Sequence, residues 1–342
     1  MKQEIELARA YFTGDGVPQD AAQAAHWYER AAQAGDPNAQ NEIGYMYQAG
    51  IGVPLSMDRA THWFQLAAAS GSPQGSLNLG VAYLAGRGVP QNGAMAVTFI
   101  TEAFHRGSGI AATYLGDMNY FGISVPQDKA AAEKWYESGL KLHDTLAAYR
   151  LGSLYSVAQD HVHDLRKAVG LLRISADGGC VLAMHSLGYL LVNYPNLAKS
   201  PQEAQPLLEE AANDGNWRSS VMLGILARNG VGTQADLRAA YFHFLVAVRQ
   251  GGQQALDLVA TDLRNIGAKF DADQLAKLTT EADTWSAQHN QALLYVEKHG
   301  KDRSEFPTAG IAIAPPGAFI GELLPLTSLR PGTQPRLRPM AN

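Results

Sequence analysis

An Ile or Leu followed by Gly recurs every 36 residues, as Ile43-Gly44, Leu79-Gly80, Leu115-Gly116, Leu151-Gly152, Leu187-Gly188 and Leu223-Gly224. A repeat of this period constrains the fold more than any other feature, because each copy must be one supersecondary unit that buries its apolar face only against its neighbours. The same register carries Val17-Pro18, Val53-Pro54, Val89-Pro90 and Val125-Pro126. It also carries the aromatic pairs Trp27-Tyr28, Trp63-Phe64 and Trp135-Tyr136, whose slots Leu171-Leu172 and Leu207-Leu208 occupy in later copies.

Each copy reads as two helices. The first carries the Leu-Gly pair; a glycine inside a helix costs ~1 kcal/mol against Ala and is tolerated where another helix must approach closely. That helix stops at paired glycines (Gly14 and Gly16, Gly50 and Gly52, Gly86 and Gly88, Gly230 and Gly232), which adopt φ > 0 without strain, and the following Pro forbids continuation. The second helix starts behind Asp20, Ser56, Asn92, Asp128, Asp164, Ser200 and Asp236, all side chains that accept a hydrogen bond from the free N–H groups of a first turn. Small pairs such as Ala31-Ala32 and Ala67-Ala68 let hairpins stack, and Gly35, Gly71, Gly107, Gly179, Gly215 and Gly251 close the second helix, with His143 in that slot in copy four. In copies five and six, residues 158–163 and 194–198 replace the glycine loop, so those turns should differ in shape.

The expected fold is all-α: a right-handed superhelical α/α solenoid of about seven 36-residue hairpins over residues 1–256. Capping helices follow over 257–300, namely Leu258 to Ile266 and then Asp273 to Lys298 behind Asp271 or Asp273, with Leu275, Leu278, Ala282 and Trp285 as the apolar stripe. Residues 301–342 form a proline-rich tail that cannot be a regular helix. Between Ile311 and Leu329 that tail is unusually apolar. One reading docks it on the solenoid, over its groove or C-terminal half; the other makes it a linker or a motif for a different protein.

The pattern LGxxY, GxGVPxD, AxxWYxxAAxxG, fullest from Thr13 to Tyr47, closely resembles the Sel1-like repeat family, a tetratricopeptide-like group of α-solenoids. The resemblance covers about residues 1 to 256. It implies a concave surface lined by the first helices, and a function exerted by binding. The family includes signalling adaptors, degradation-complex subunits, bacterial factors that contact host proteins and immunity proteins that neutralise secreted toxins. Cysteine-rich relatives linked to β-lactam hydrolysis imply the alternative, a hydrolase. Their disulfide-linked cysteines are absent from this chain, in which Cys180 stands alone.

Charge and motifs narrow the field further. With 27 basic and 32 acidic side chains the net charge is −5, so the attraction that drives nonspecific binding to phosphate backbones is missing and nucleic acid is not an expected partner. No stretch reaches the roughly 18 to 20 apolar residues that span a bilayer. The start MKQEIELARAYF has no apolar signal region; the chain reads as soluble, in the cytoplasm or, with a signal already removed, in the periplasm or outside the cell. After Gly14-Asp15-Gly16 the third glycine of a dinucleotide fingerprint is absent, as are GxSxG, HExxH and paired-cysteine zinc motifs. Neither catalytic residues, cofactors nor a metal are expected. His161 and His163 beside Asp160 and Asp164 are the nearest approach to a metal site, but two imidazoles fall short of the usual four ligands and the cluster reads equally as a hairpin turn.

A protein partner in the concave groove is the expected ligand. Trp27, Trp63 and Trp135, like Tyr11, Tyr47, Tyr83 and Tyr155, hold consensus slots and read as packing residues. The informative side chains lie on the non-consensus faces of the first helices: Asn41, Tyr45, Leu77, Val81, Leu84, Asp117, Tyr120, Phe121, Tyr149, Ser153, His185, Tyr189, Arg218, Ile225 and Arg228. Of these, Tyr45, Tyr120, Phe121, Tyr149, Tyr189, Arg218 and Arg228 are the expected partner-binding residues, because aromatic and Arg side chains dominate binding hot spots. Arg218 and Arg228 point to an acidic partner segment. The competing reading is that several of the tyrosines fill gaps between hairpins.

Overall fold

The computed structural model describes residues 2–157, 164–200, 202–231 and 234–289, and all regular structure among them is helical. Seven helix pairs follow one another within these residues. They are α1 Lys2–Thr13 with α2 Ala21–Gln33, α3 Pro37–Ala49 with α4 Met57–Ala69, α5 Pro73–Ala85 with α6 Gly93–His105, and α7 Gly109–Phe121 with α8 Lys129–Lys141. Then come α9 Thr145–Ser156 with α10 Leu165–Asp177, α11 Val181–Asn193 with α12 Ala204–Asn213, and α13 Trp217–Asn229 with α14 Leu237–Gly267, before a last helix, α15 Ala272–His289. The fold is an α/α solenoid of helix hairpins, and its contacts gather into two compact units that divide between Trp135 and Tyr136.

In five copies the glycine of the Leu-Gly slot stands where the two helices of its own hairpin cross. A Cβ would lie 2.6 Å from Phe64 Cε1 at Gly44, 2.6 Å from Ile100 Cγ1 at Gly80, 2.9 Å from Leu172 Cγ at Gly152, 2.7 Å from Leu208 Cγ at Gly188 and 2.5 Å from Phe244 Cε1 at Gly224. The residue met is in every case the large apolar side chain of the second aromatic slot, each 2% exposed or less. Leucine therefore replaces the aromatic ring there without loss of the crossing, which is why later copies change letters and keep the frame.

The turn inside the hairpin is closed from both sides. The N–H of the second-helix cap donates back to the first helix, Asp20 to Tyr11 O at 2.8 Å, Ser56 to Tyr47 O at 2.8 Å, Asn92 to Tyr83 O at 2.9 Å, Asp164 to Tyr155 O at 2.9 Å and Asp236 to Ala227 O at 2.8 Å. The cap side chains accept from the first-turn N–H groups: Asp20 from Ala22 and Gln23, Ser56 from Arg59, Asn92 from Met95, Asp128 from Ala131, Asp164 from Arg166 and Lys167, and Asp236 from Ala239. The second turn glycine serves two ends. Gly52 and Gly88 have φ of 68° and 67°, and a Cβ on either would drive into the start of the preceding copy's second helix, 2.8 Å from Ala22 N at Gly52 and 2.6 Å from Thr61 Oγ1 at Gly88. A Cβ on Gly16 would meet nothing within 4 Å.

Copy four solves the same problem differently. Ser124 takes the slot of Gly88 with φ of 59°, and the residue across from it, in the slot of Ala21 and Met57, is Gly93; a Cβ there would stand 2.5 Å from Ser124 Cβ. The side chain has moved from one wall of the contact to the other. His143 likewise accepts the left-handed geometry of its glycine slot, with φ of 62°, a conformation in which His is more tolerable than most residues.

Two expectations are corrected, and an alternative left open is resolved. Ser200 does not cap copy six: α12 begins at Ala204 behind Glu203, which makes no side-chain cap bond, because its carboxylate is held by Arg173 at 2.8 and 3.1 Å. The break at the end of the seventh copy falls at Gly252 (φ 56°, ψ −137°) rather than Gly251; Gly251 stays helical beneath the Trp217 ring, whose Cγ lies 2.6 Å from where its Cβ would be. Of the two proposed starts for α15, Asp271 is the cap. It accepts from Gln274 N at 2.8 Å while Gln274 Oε1 accepts from Asp271 N at 3.0 Å, a reciprocal capping box. Residues 158–163, with His161 and His163, and the tail including Ile311 to Leu329 lie outside the described residues.

Candidate functional site

The non-consensus stripe of the first helices has a different character in each unit. In the unit ending at Trp135 it is closed in at Leu77, Val81, Leu84 and Asp117, which are 0%, 6%, 2% and 2% exposed. The aliphatic members are core, because the stripe repeats at the helical period and successive first helices pack against it. Tyr45, at 8% exposed, is a packing residue there and not a surface anchor. Burial pushes its phenol up to about 12, helped by Glu42. Glu42, half-buried beside it, accepts a long bond from Asn41 Nδ2 (3.4 Å) and is itself pushed up to about 8 by burial. Asn41 Oδ1 accepts from Asn78 Nδ2 at 2.8 Å and Asn78 Oδ1 from Gln74 Nε2 at 3.3 Å, so α3 and α5 are tied by a buried amide ladder. Tyr120 and Phe121 are half-exposed and pack edge to face, centroids 4.9 Å apart, with Lys129 Nζ 5.4 Å above the Tyr120 ring. Phe121 also leans on the core of its own unit.

In the unit starting at Tyr136 the stripe is half-open. Ser153 on α9, His185 and Tyr189 on α11, and Arg218 and Ile225 on α13 are each partly exposed. The structure brings Arg218 on α13 within electrostatic reach of both His185 on α11 and Tyr149 on α9. Tyr149 is 5% exposed; its ring packs while its hydroxyl is held by Ser153 and Ser186, and burial raises its pKa. His185 Nδ1 lies 3.0 Å from Ser219 Oγ, and burial with the nearby Arg218 charge holds the imidazole down to about 4, so it is neutral at pH 7. Arg218 stacks on the Trp217 ring at 4.3 Å from its centroid. Tyr189 covers the apolar cluster of Leu208, Met222 and Leu226 with one edge exposed.

Arg228 corrects the expectation of a paired arginine patch. Its guanidinium bonds Asp262 Oδ1 and Asn229 Oδ1, so an internal carboxylate already neutralises it. Trp217 and Ser219 belong to the site and were not singled out from the sequence; the available signal was that Trp217 falls outside the repeating aromatic slots. The chain's one S-x-x-K spacing, Ser138 and Lys141, lies at the end of α8 with Lys141 exposed, unlike the desolvated amine a lysine base requires. A cleft of about 570 Å³ between α12, α13 and the start of α14 is lined by Leu223, Leu226, Asp236 and His243, with no nucleophile and base in partnership there. Among the described residues no group of three or more His, Cys, Asp or Glu could hold a metal ion. No described helix is long and apolar enough to cross a membrane.

The chain is similar to several proteins of known structure. A crystal structure of a Sel1 repeat protein from Oxalobacter formigenes is 23% identical, covers 71% of this chain and 98% of that one, and superposes with a TM-score of 0.63. The protective antigen c5321 of uropathogenic Escherichia coli, displaying an SLR fold, is 24% identical over 89% of this chain and 72% of its own, with a TM-score of 0.48. The immunity protein Pa5087 from Pseudomonas aeruginosa is 20% identical over 59% of this chain and 73% of its own, with a TM-score of 0.44. The family model of the Sel1 repeat matches residues 4–36, 37–72, 73–108, 109–144, 145–180 and 218–252. The unmatched stretch between 181 and 217 holds the hairpin whose second helix lacks its cap, so sequence and geometry depart from the repeat at the same place. With six matched segments spanning more than half its length, and a glycine crossing repeated in five of its hairpins, the chain belongs to the Sel1 repeat family.

Proposed function

We propose that this chain is a non-catalytic binding scaffold whose partner docks on the first-helix face of the unit starting at Tyr136. Sel1 repeats imply a protein–protein interaction scaffold, and the finer assignment rests on one observation. The slot that is sealed at Tyr45, Val81 and Asp117 in one unit is half-open at Ser153, Tyr189 and Ile225 in the other, with His185 and Arg218 half-exposed beside it. Aromatic and Arg side chains already held in place by neighbours lose little entropy on binding and offer large contact area, the combination found at binding hot spots. A signalling adaptor and an immunity protein make the same demand on this face and differ only in the partner.

The test is affinity capture with the tagged full chain, followed by identification and direct titration of the retained protein. Tyr189→Ala combined with Ile225→Ala should weaken that titration by about 2 kcal/mol or more with helix content unchanged. Ile174→Ser, which alters an exposed second-helix residue (50% exposed), should leave it as it was. A partner that binds the double variant at full strength would refute this placement of the site.

A further inference from the structure

Four arginines of the second unit are each matched to a carboxylate: Arg173 to Glu203, Arg228 to Asp262, Arg238 to Glu281 and Arg249 to Asp283. Arg218 stands apart. It is half-buried, and among the described residues it makes neither a hydrogen bond nor an ion pair, only the stack on Trp217 at 4.3 Å. Burial lowers the pKa of its guanidinium, the mark of a cation stripped of water without a counter-charge. Its position makes this worse, since Arg218 is the second residue of α13, beside the positive end of the helix dipole. Cation and dipole both favour an anion at the same place. With no hydrogen bond to a described residue, its N–H groups keep the fork that suits bidentate bonds to a carboxylate. Around it stand neutral hydrogen-bonding groups, the His185–Ser219 pair and the Tyr149 hydroxyl, and among the described residues no acidic side chain acts on Arg218.

We propose that Arg218, stacked on Trp217 and flanked by His185, Ser219 and Tyr149, receives a side-chain carboxylate from an acidic segment of the partner protein. The proposal rests on the reading of this face as the partner site and names the chemistry that the face selects. Charge complementarity singles out the occupant, since a carboxylate is the group that Arg173, Arg228, Arg238 and Arg249 of the unit have already found within the chain.

The experiment uses the full chain with labelled histidine and arginine side chains, followed by NMR during titration with N-acetyl-glutamic acid α-amide, whose only charge is a side-chain carboxylate. Saturable shifts are expected at His185 and at the Arg218 Nε–H. In Arg218→Gln the response at His185 should weaken about tenfold or more, whereas Arg228→Ala should leave it unchanged because Arg228 is already occupied by Asp262. N-acetyl-glutamine amide is the neutral control, N-acetyl-alanine offers a terminal carboxylate, and inorganic phosphate offers a different anion. No saturable shift, an equal response to the neutral control, a stronger response to the terminal carboxylate or to phosphate, or an unaltered response in Arg218→Gln would each overturn the proposal. Such a failure leaves the docking face standing, because that reading is tested separately at Tyr189 and Ile225.

Discussion

Gly93 and Ser124 provide a quantitative test of how neighbouring copies fit together. In Gly93→Ala the new Cβ would stand 2.5 Å from Ser124 Cβ, well inside the ~3.5 to 4.0 Å at which carbon atoms rest. Relieving that overlap requires a backbone shift at a repeat junction, a class of overpacking that costs ~1–3 kcal/mol. Against it stands the gain from removing a glycine at the start of α6, at most ~1 kcal/mol, so the variant should lose about 1–2 kcal/mol. Ser124→Gly removes the side chain at fault and relieves the left-handed φ of 59°, a gain of ~1 kcal/mol partly cancelled by the greater freedom of glycine in the unfolded chain. The double variant recreates the arrangement already present between Ala21 and Gly52. It should therefore recover most of the loss, giving a coupling energy of ~1–3 kcal/mol in a double-mutant cycle measured by urea unfolding. Additivity within ~0.5 kcal/mol would refute the reasoning.

Further outcomes follow from the same geometry. Gly80→Ala should destabilise by ~1–3 kcal/mol because its Cβ meets Ile100 Cγ1 at 2.6 Å, while Gly170→Ala, a helix glycine with open space around its Cβ, should stabilise by up to ~1 kcal/mol; thermal unfolding of the pair reads the contrast. Cys180 sits where Asp36, Ser72, Ser108, Asp144 and Asn216 cap the first helices of other copies, and it makes no cap bond, so Cys180→Ser should raise stability by ~1 kcal/mol in the same assay. Glu42, raised from 4.5 to about 8, stabilises the fold in its protonated form. That contribution is complete below pH 4.5 and is lost as pH rises through 8. Glu42→Gln cannot ionise and should match the native chain near pH 4 while exceeding it by ~1–3 kcal/mol above pH 8, allowing for partial solvent screening; a constant difference across pH would contradict this.

Repetition made the fold legible. One glycine before one large apolar residue proves little, but Gly44 with Phe64, Gly80 with Ile100 and Gly224 with Phe244 share a spacing that only a conserved crossing explains. The same logic reaches the first-helix caps from Asp36 to Asn216, which recur in frame but follow a less visible signal than the Val-Pro ahead of the second-helix caps. The site was less legible. A helical period says which residues share a stripe but not whether a neighbour covers it, so Tyr45 and Tyr149 look like surface anchors until their burial is seen. Arg228 and Asp262 are far apart in sequence, and no local pattern reveals that one occupies the other. Trp217 was visible as an aromatic residue out of register. Its role as the platform beneath Arg218 came only from the structure.

The central claim, that the half-open first-helix face of the second unit is where a partner protein docks, is tested most directly by site-specific photocrosslinking. A benzophenone side chain would be placed in turn at Tyr189 and Ile225 on that face, and at Ile174 and Glu209 on second helices, in the full chain expressed in its native host. The account predicts one shared partner adduct from Tyr189 and Ile225 and none of it from Ile174 or Glu209. An adduct that forms from the second-helix positions and not from the first-helix face would contradict it.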